Sequence, residues 1–143
     1  NEIKKEFFDP INYSKSGNLF DIVISRHFIE HTINPYEFIN SLKSVLFDNG
    51  LLILETPNIQ YFIKKGLLEV FSLQHVTLFT ATSLKILMIK AGLDVILIQK
   101  IFDNLCHFRT TLKRRCRIYP SYYISFGMHT HEICHNIITF CSR

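Results

Sequence analysis

The 143-residue sequence contains no tryptophan, five glycines, four prolines and two methionines. Glycine and proline this sparse exclude a collagen-like or low-complexity chain. The few glycines are also dispersed, so no G-x-G-x-G loop follows any strand-like run, and Gly17 stands by itself. No apolar run approaches the roughly 20 residues a membrane-spanning helix requires. The longest, at residues 51–54 and 95–98, are strand-sized. The N-terminus opens on charged residues without an apolar stretch, so no signal peptide is expected, and it lacks an initiator methionine. The four cysteines, Cys106, Cys116, Cys134 and Cys141, all fall in the last third. That is no framework for a short secreted domain, so reduced thiols and a cytoplasmic location are expected.

What is present suits a packed α/β domain. Hydrophobic residues make up 48% and charged residues 20%, and the net charge of +4 draws heavily on one run, residues 109–117. Residues 20–25 (Phe-Asp-Ile-Val-Ile-Ser) form a nearly continuous, β-branched apolar run, which predicts a strand buried on both faces. Asn34-Pro35-Tyr36-Glu37 predicts a helix start. Asn34 is the cap, Pro35 takes the first helical position, Glu37 reaches back, and Ile33 staples onto Phe38. Phe38, Leu42, Val45 and Leu46 make an apolar stripe, and Asp48-Asn49-Gly50 is expected to end the helix with Gly50 left-handed. A second strand over 51–55 ends at Pro57, completing a βαβ unit.

The connection over residues 56–80 is long enough to carry function or a small element of its own. Thr80 or Thr82 then caps a helix with Leu84, Leu87, Met88 and Ala91 on one face, closed by Gly92, and residues 93–101 return as a strand. The order β-α-β-loop-α-β is that of an open α/β sheet. Beyond Phe102 the pattern weakens: residues 122–126 suit a strand, and 133–140 suit either a strand or a short helix. The chain therefore divides at 101, with 102–143 a basic, Cys/His-containing tail that either stands apart or supplies a last strand.

The segment Phe20-Asp21-Ile22-Val23-Ile24-Ser25-Arg26-His27-Phe28-Ile29-Glu30-His31 resembles the fourth-strand motif of class I S-adenosylmethionine-dependent methyltransferases, F-D-x-V followed by hydrophobic-E-H. Leu46-Phe47-Asp48-Asn49-Gly50-Leu51-Leu52-Ile53-Leu54 is similar to that family's turn and fifth strand, with Asp48-Asn49 where Pro-Gly is usual. Glu55-Thr56-Pro57-Asn58, then Phe71-Ser72-Leu73-Gln74-His75-Val76, Phe79-Thr80 and Ser83-Leu84, resemble a branch acting on sugars, quinones and other small molecules, with Gln74 in place of a Glu. The resemblance covers about residues 18–101. It implies a partial Rossmann-like sheet, about strands four to six or seven, lacking the half that carries the glycine-rich loop and the acid that holds the ribose.

The resemblance also implies a chemistry. Ligands of open α/β sheets bind beyond the carboxyl ends of the strands. Ser25, Arg26 and His27 would line the S-adenosylmethionine side there, and Asn58 would contact the substrate. His31 and His75 are candidate bases, because an unperturbed imidazole titrates near neutrality, and Glu30 would orient His31. Equally, Glu30 and His31 can simply brace the loop, and His75 can be a satisfied interior histidine. Losing the acid at Gln74 would weaken the base or change the acceptor.

No metal site is expected. His129, His131, Cys134, His135 and Cys141 lack the paired spacing of a zinc module. Arg109, Lys113, Arg114, Arg115 and Arg117, followed by Tyr119, Tyr122 and Tyr123, are expected to form a solvated loop, and nucleic acid is not expected as a partner. Two functions remain: methyl transfer to a small-molecule acceptor, or a non-catalytic methyltransferase-like module binding nucleic acid or protein through the basic tail. No membrane partner is expected, and the oligomeric state is not legible. A sheet cut at its middle would also leave the 20–25 strand as an exposed, aggregation-prone edge.

Overall fold

A computed structural model describes residues 13, 15, 17, 19–101, 107–114 and 137–141. Strand β1 (Phe20–Arg26) leads through a short 3-10 turn (Ile29–His31) into helix α1 (Pro35–Ser44) and strand β2 (Leu46–Pro57). Helix α2 (Ile59–Lys65) and helix α3 (Ala81–Lys90) follow, then strands β3 (Leu93–Ile101), β4 (His107–Arg114) and β5 (Ile137–Cys141). The five strands form one sheet in the order β3-β4-β2-β1-β5. β1 and β2 are parallel, with Val23 opposite Leu52 and Ser25 opposite Leu54, as a βαβ unit requires. β4 runs antiparallel between β2 and β3, and β5 runs antiparallel along β1.

Alternation along the strands decides where the core sits. Val23, Leu52, Leu54, Leu93 and Leu112 are fully buried and meet Ile39 and Leu42 of α1 and Leu84 and Met88 of α3 in one cluster. Ile22, Ile24, Leu51 and Ile53 point to the other face, belong to neither core cluster and stay partly accessible. A second, smaller cluster joins Ile59 and Phe62 of α2 to Val70.

Several expectations are corrected. α1 ends at Ser44, not after Phe47, and residues 46–50 open β2 instead. Asn49, not Gly50, takes the positive φ, 67°. Gly50 is required for a different reason: a Cβ there would lie 2.9 Å from the Phe47 carbonyl oxygen and 3.2 Å from that of Asp21, where the chain approaches itself. The staple does not form, since Ile33 is 90% exposed; Phe38 stacks on Phe28 with centroids 5.1 Å apart. Asn34 does cap α1, its Oδ1 accepting the Glu37 N–H. Of the two candidate threonines, Thr80 caps α3 in a reciprocal box with Ser83, and Gly92 closes it at φ 72°.

The largest difference concerns the tail. Residues 109–114 of the basic run are not a solvated loop but most of β4, in the interior of the sheet. Arg114 donates to the Leu46 carbonyl and pairs with Asp48 at 3.3 Å. The edge of β1 is not open either, because β5 pairs with it from Ile22↔Cys141 to Arg26↔Ile137. The possible strand at 122–126, and His129, His131, Cys134 and His135, lie outside the described residues.

Candidate active site

The parallel pair β1–β2 carries two polar groups of residues to its carboxyl end, one on each face. On the face away from the helices, Glu55 is 3% exposed and accepts Arg26 Nε at 2.5 Å and Arg109 Nε at 2.6 Å. Burial by itself would raise the Glu55 carboxyl, but hydrogen bonds from Arg26 and Arg109, together with their charges, outweigh it. The net result holds the group below its ordinary value. Arg26 is therefore engaged by Glu55, which the sequence reading did not anticipate. The signal was an acid ending a strand of otherwise apolar residues.

On the helix-covered face the chain turns sharply after β1. His27 takes a positive φ of 49° while its N–H donates to the Glu55 carbonyl at 3.0 Å. Strained non-glycine backbone of this kind concentrates where a side chain must be aimed. The turn delivers Glu30, 1% exposed, to the end of β2, where Thr56 Oγ1 donates to Glu30 Oε2 at 3.0 Å and His27 Nδ1 lies 3.5 Å from Glu30 Oε1. Ser25 is also buried, and its hydroxyl has no hydrogen-bond partner among the described residues.

The long connection folds back onto this turn. Thr77 N–H donates to the Glu30 carbonyl at 3.1 Å, and His31 Nδ1 lies 2.8 Å from the Gln74 carbonyl oxygen. His75 Nδ1 lies 2.7 Å from the Val70 carbonyl oxygen. A carbonyl only accepts, so each ring donates through Nδ1–H and leaves the Nε2 lone pair available. The two rings sit 5.1 Å apart, centroid to centroid, although 44 positions separate them in sequence. Glu30, His31 and His75 each offer a ligand atom, all within 4.8 Å of one another, so one divalent cation can reach all three. The sequence reading had placed any metal question in the tail instead.

Asn58 sits just beyond β2, as expected, but is 3% exposed and its Oδ1 caps α2 by accepting the Gln60 N–H at 3.1 Å. Its backbone bridges Phe79, which ties both ends of the connection together.

Solved structures with the same architecture include methyltransferases. A possible histamine N-methyltransferase from Thermotoga maritima superposes with a TM-score of 0.54 at 16% identity, over 68% of this chain and 57% of its own. Magnesium protoporphyrin IX methyltransferase from Synechocystis PCC 6803, solved with bound SAH, gives 0.52 at 16% identity, over 71% and 48%. An O-methyltransferase family protein from Burkholderia thailandensis gives 0.57 at 19% identity, over 79% and 35%. The fold is thus that of a partial, Rossmann-like α/β methyltransferase.

The family follows from sequence: residues 1–98 match the methyltransferase domain family model, and the chain belongs to that family. A 42-residue stretch, 29% of the chain, is 45% identical to the mitochondrial ubiquinone biosynthesis O-methyltransferase of Arabidopsis thaliana and spans 13% of that protein. Among these solved structures the chain spans roughly a third to just over half of each relative.

The residues at the end of β1 fit one wall of a cofactor crevice. The Ser25 hydroxyl, unpartnered among the described residues, is the feature there that a bound ligand would complete. The opposite wall would stand against the outer edge of β1, where β5 is paired.

Proposed function

We propose that the chain supplies the acceptor side of an S-adenosylmethionine-dependent methyltransferase centre acting on a small molecule, as part of a longer catalytic unit. The observation that carries this reading is the meeting of His31 and His75 over buried Glu30, beyond the carboxyl ends of two parallel strands. S-adenosylmethionine supplies a methyl group already activated as a sulfonium, so the protein has only to align the acceptor and take its proton.

His75 is the base in this reading: Val70 fixes its tautomer and its Nε2 is free to accept. His31 is oriented the same way by Gln74, and Glu30 stabilises whichever imidazole becomes charged. Gln74 thus contributes its backbone carbonyl, which an acid-to-amide change leaves intact. Ser25 and His27 border the cofactor, Arg26 acts through Glu55 to hold the end of β1, and Asn58 shapes the acceptor wall by fixing α2.

A second reading of the same cluster has a divalent cation on Glu30, His31 and His75, lowering the pKa of an acceptor hydroxyl. The non-catalytic alternative loses support, because Arg109 and Arg114 of the basic run are engaged within the sheet.

The test is His75→Ala in the enzyme that contains this segment, with SAH release and cofactor affinity measured separately. Turnover should fall about 10²–10⁴-fold while cofactor affinity holds. Near-normal turnover removes His75 from the reaction.

A further inference from the structure

The ion cluster on the face away from the helices holds more positive charge than its acid neutralises. Arg26, Glu55 and Arg109 are register partners on β1, β2 and β4, so all three side chains leave the sheet on one face. Glu55 supplies a single negative charge and engages both guanidiniums, Arg26 through Nε and Arg109 through Nε and one terminal nitrogen. A guanidinium has five N–H donors in a planar fork, so each arginine keeps terminal donors beyond those bonds. Among the described residues neither arginine meets a second carboxylate. Asp94, an acid of the same face, stands in register with Lys113 at the other end of the sheet. Gln99, the β3 partner of Arg109, adds only a neutral amide. Two residues back along the strands, the same face presents Ile24 paired with Ile53, both apolar and partly accessible.

We infer that Arg26 and Arg109 together bind a phosphoryl group. A surplus cation held half-buried is costly unless an anion pairs with it. Both side chains are 31% exposed, so an anion from solution can reach them. Glu55 lies between the two arginines on the middle strand, and its grip draws the forks toward each other. Two converging forks suit a tetrahedral phosphoryl group, whose several oxygens accept from both, whereas a planar carboxylate is satisfied by one. The Glu55 carboxylate repels the incoming anion, and two guanidiniums against one carboxylate leave a net attraction. The apolar Ile24–Ile53 pair beside the row keeps the local dielectric low and strengthens that attraction. This row lies at the same strand ends as Glu30, His31 and His75 but on the opposite face of the sheet, so phosphate binding does not depend on methyl transfer.

Titration of the full chain with inorganic phosphate, at an ionic strength held constant with sodium chloride, tests this. Saturable binding is expected, with acetate roughly tenfold weaker. Arg26→Lys and, separately, Arg109→Lys keep the charge and lose the fork, and each should weaken phosphate roughly tenfold. Glu55→Gln removes the repelling carboxylate and should tighten it. Lys65→Gln, at an exposed cation near the end of α2, should change nothing. Thermal melting of each variant without phosphate establishes that it is folded, and a stabilisation by phosphate shared by all of them is its general exclusion from protein surfaces. Three results overturn the inference: no saturable binding to the wild-type chain, acetate as effective as phosphate, or unchanged phosphate affinity in both folded arginine variants.

Discussion

Replacing Glu55 by Gln isolates the electrostatics at the end of the sheet. The carboxylate is buried and accepts from two guanidiniums, whose side chains are each 31% exposed. Removing one partner of a fully buried pair costs about 3–5 kcal/mol. Here water reaches both arginines and the amide oxygen still accepts one bond, so the discounted cost is about 1–3 kcal/mol. For a chain of this size that lowers Tm by roughly 3–10 °C.

The pH dependence distinguishes this cause from mere packing. Glu55 has a folded pKa below its ordinary value, so its contribution is complete above about pH 5. It is lost as the pH falls through the lowered folded value. Urea unfolding of wild type and Glu55→Gln should therefore differ at neutral pH and differ less in acid, below the ordinary glutamate range. A gap of the same size at both would refute the electrostatic account. The triple change Arg26→Met/Glu55→Leu/Arg109→Met, which removes all the charges together, should be milder than Glu55→Gln.

Gly50→Ala should destabilise by about 1–3 kcal/mol, because its Cβ would press on two backbone carbonyls that cannot move aside; chemical denaturation measures it. Thr80→Ala removes the cap of α3 and should cost about 1 kcal/mol, read as a shift in urea midpoint with an unchanged slope. If the Glu30–His31–His75 cluster takes a cation, Mn²⁺ or Zn²⁺ should raise the melting temperature of wild type and leave His31→Ala unmoved; an equal rise in both would place the ion elsewhere.

The elements most legible in sequence were those with strong local chemistry. The β-branched run of β1, the Asn34 and Thr80 caps and the Gly92 stop all act within a few residues, and each stands where expected. The span of residues 44–50 was misread because the helical stripe of Val45 and Leu46 serves equally well as the buried start of a strand. β4 was hidden for a related reason: alternating Arg109, Thr111 and Lys113 read as a charged loop until Glu55 is seen to hold the first of them. At the site, the Glu30–His31 motif was visible locally, while the approach of His75 depends on long-range bonds to the carbonyls of Glu30, Thr32 and Gln74, whose partners local sequence does not announce.

The place of β4 also fixes an order of events during synthesis. β1, α1 and β2 can pair as soon as they leave the ribosome, since their contacts are nearly local. β3 cannot join them, because the strand that lies between it and β2 is made afterwards. Nascent chain ending near residue 101 therefore holds the β1–β2 pair and a lone β3 with no strand pairing between them, and the edges that β4 will fill stand open. A chaperone that shields strand edges would matter most during that interval, which closes when His107–Arg114 slots in.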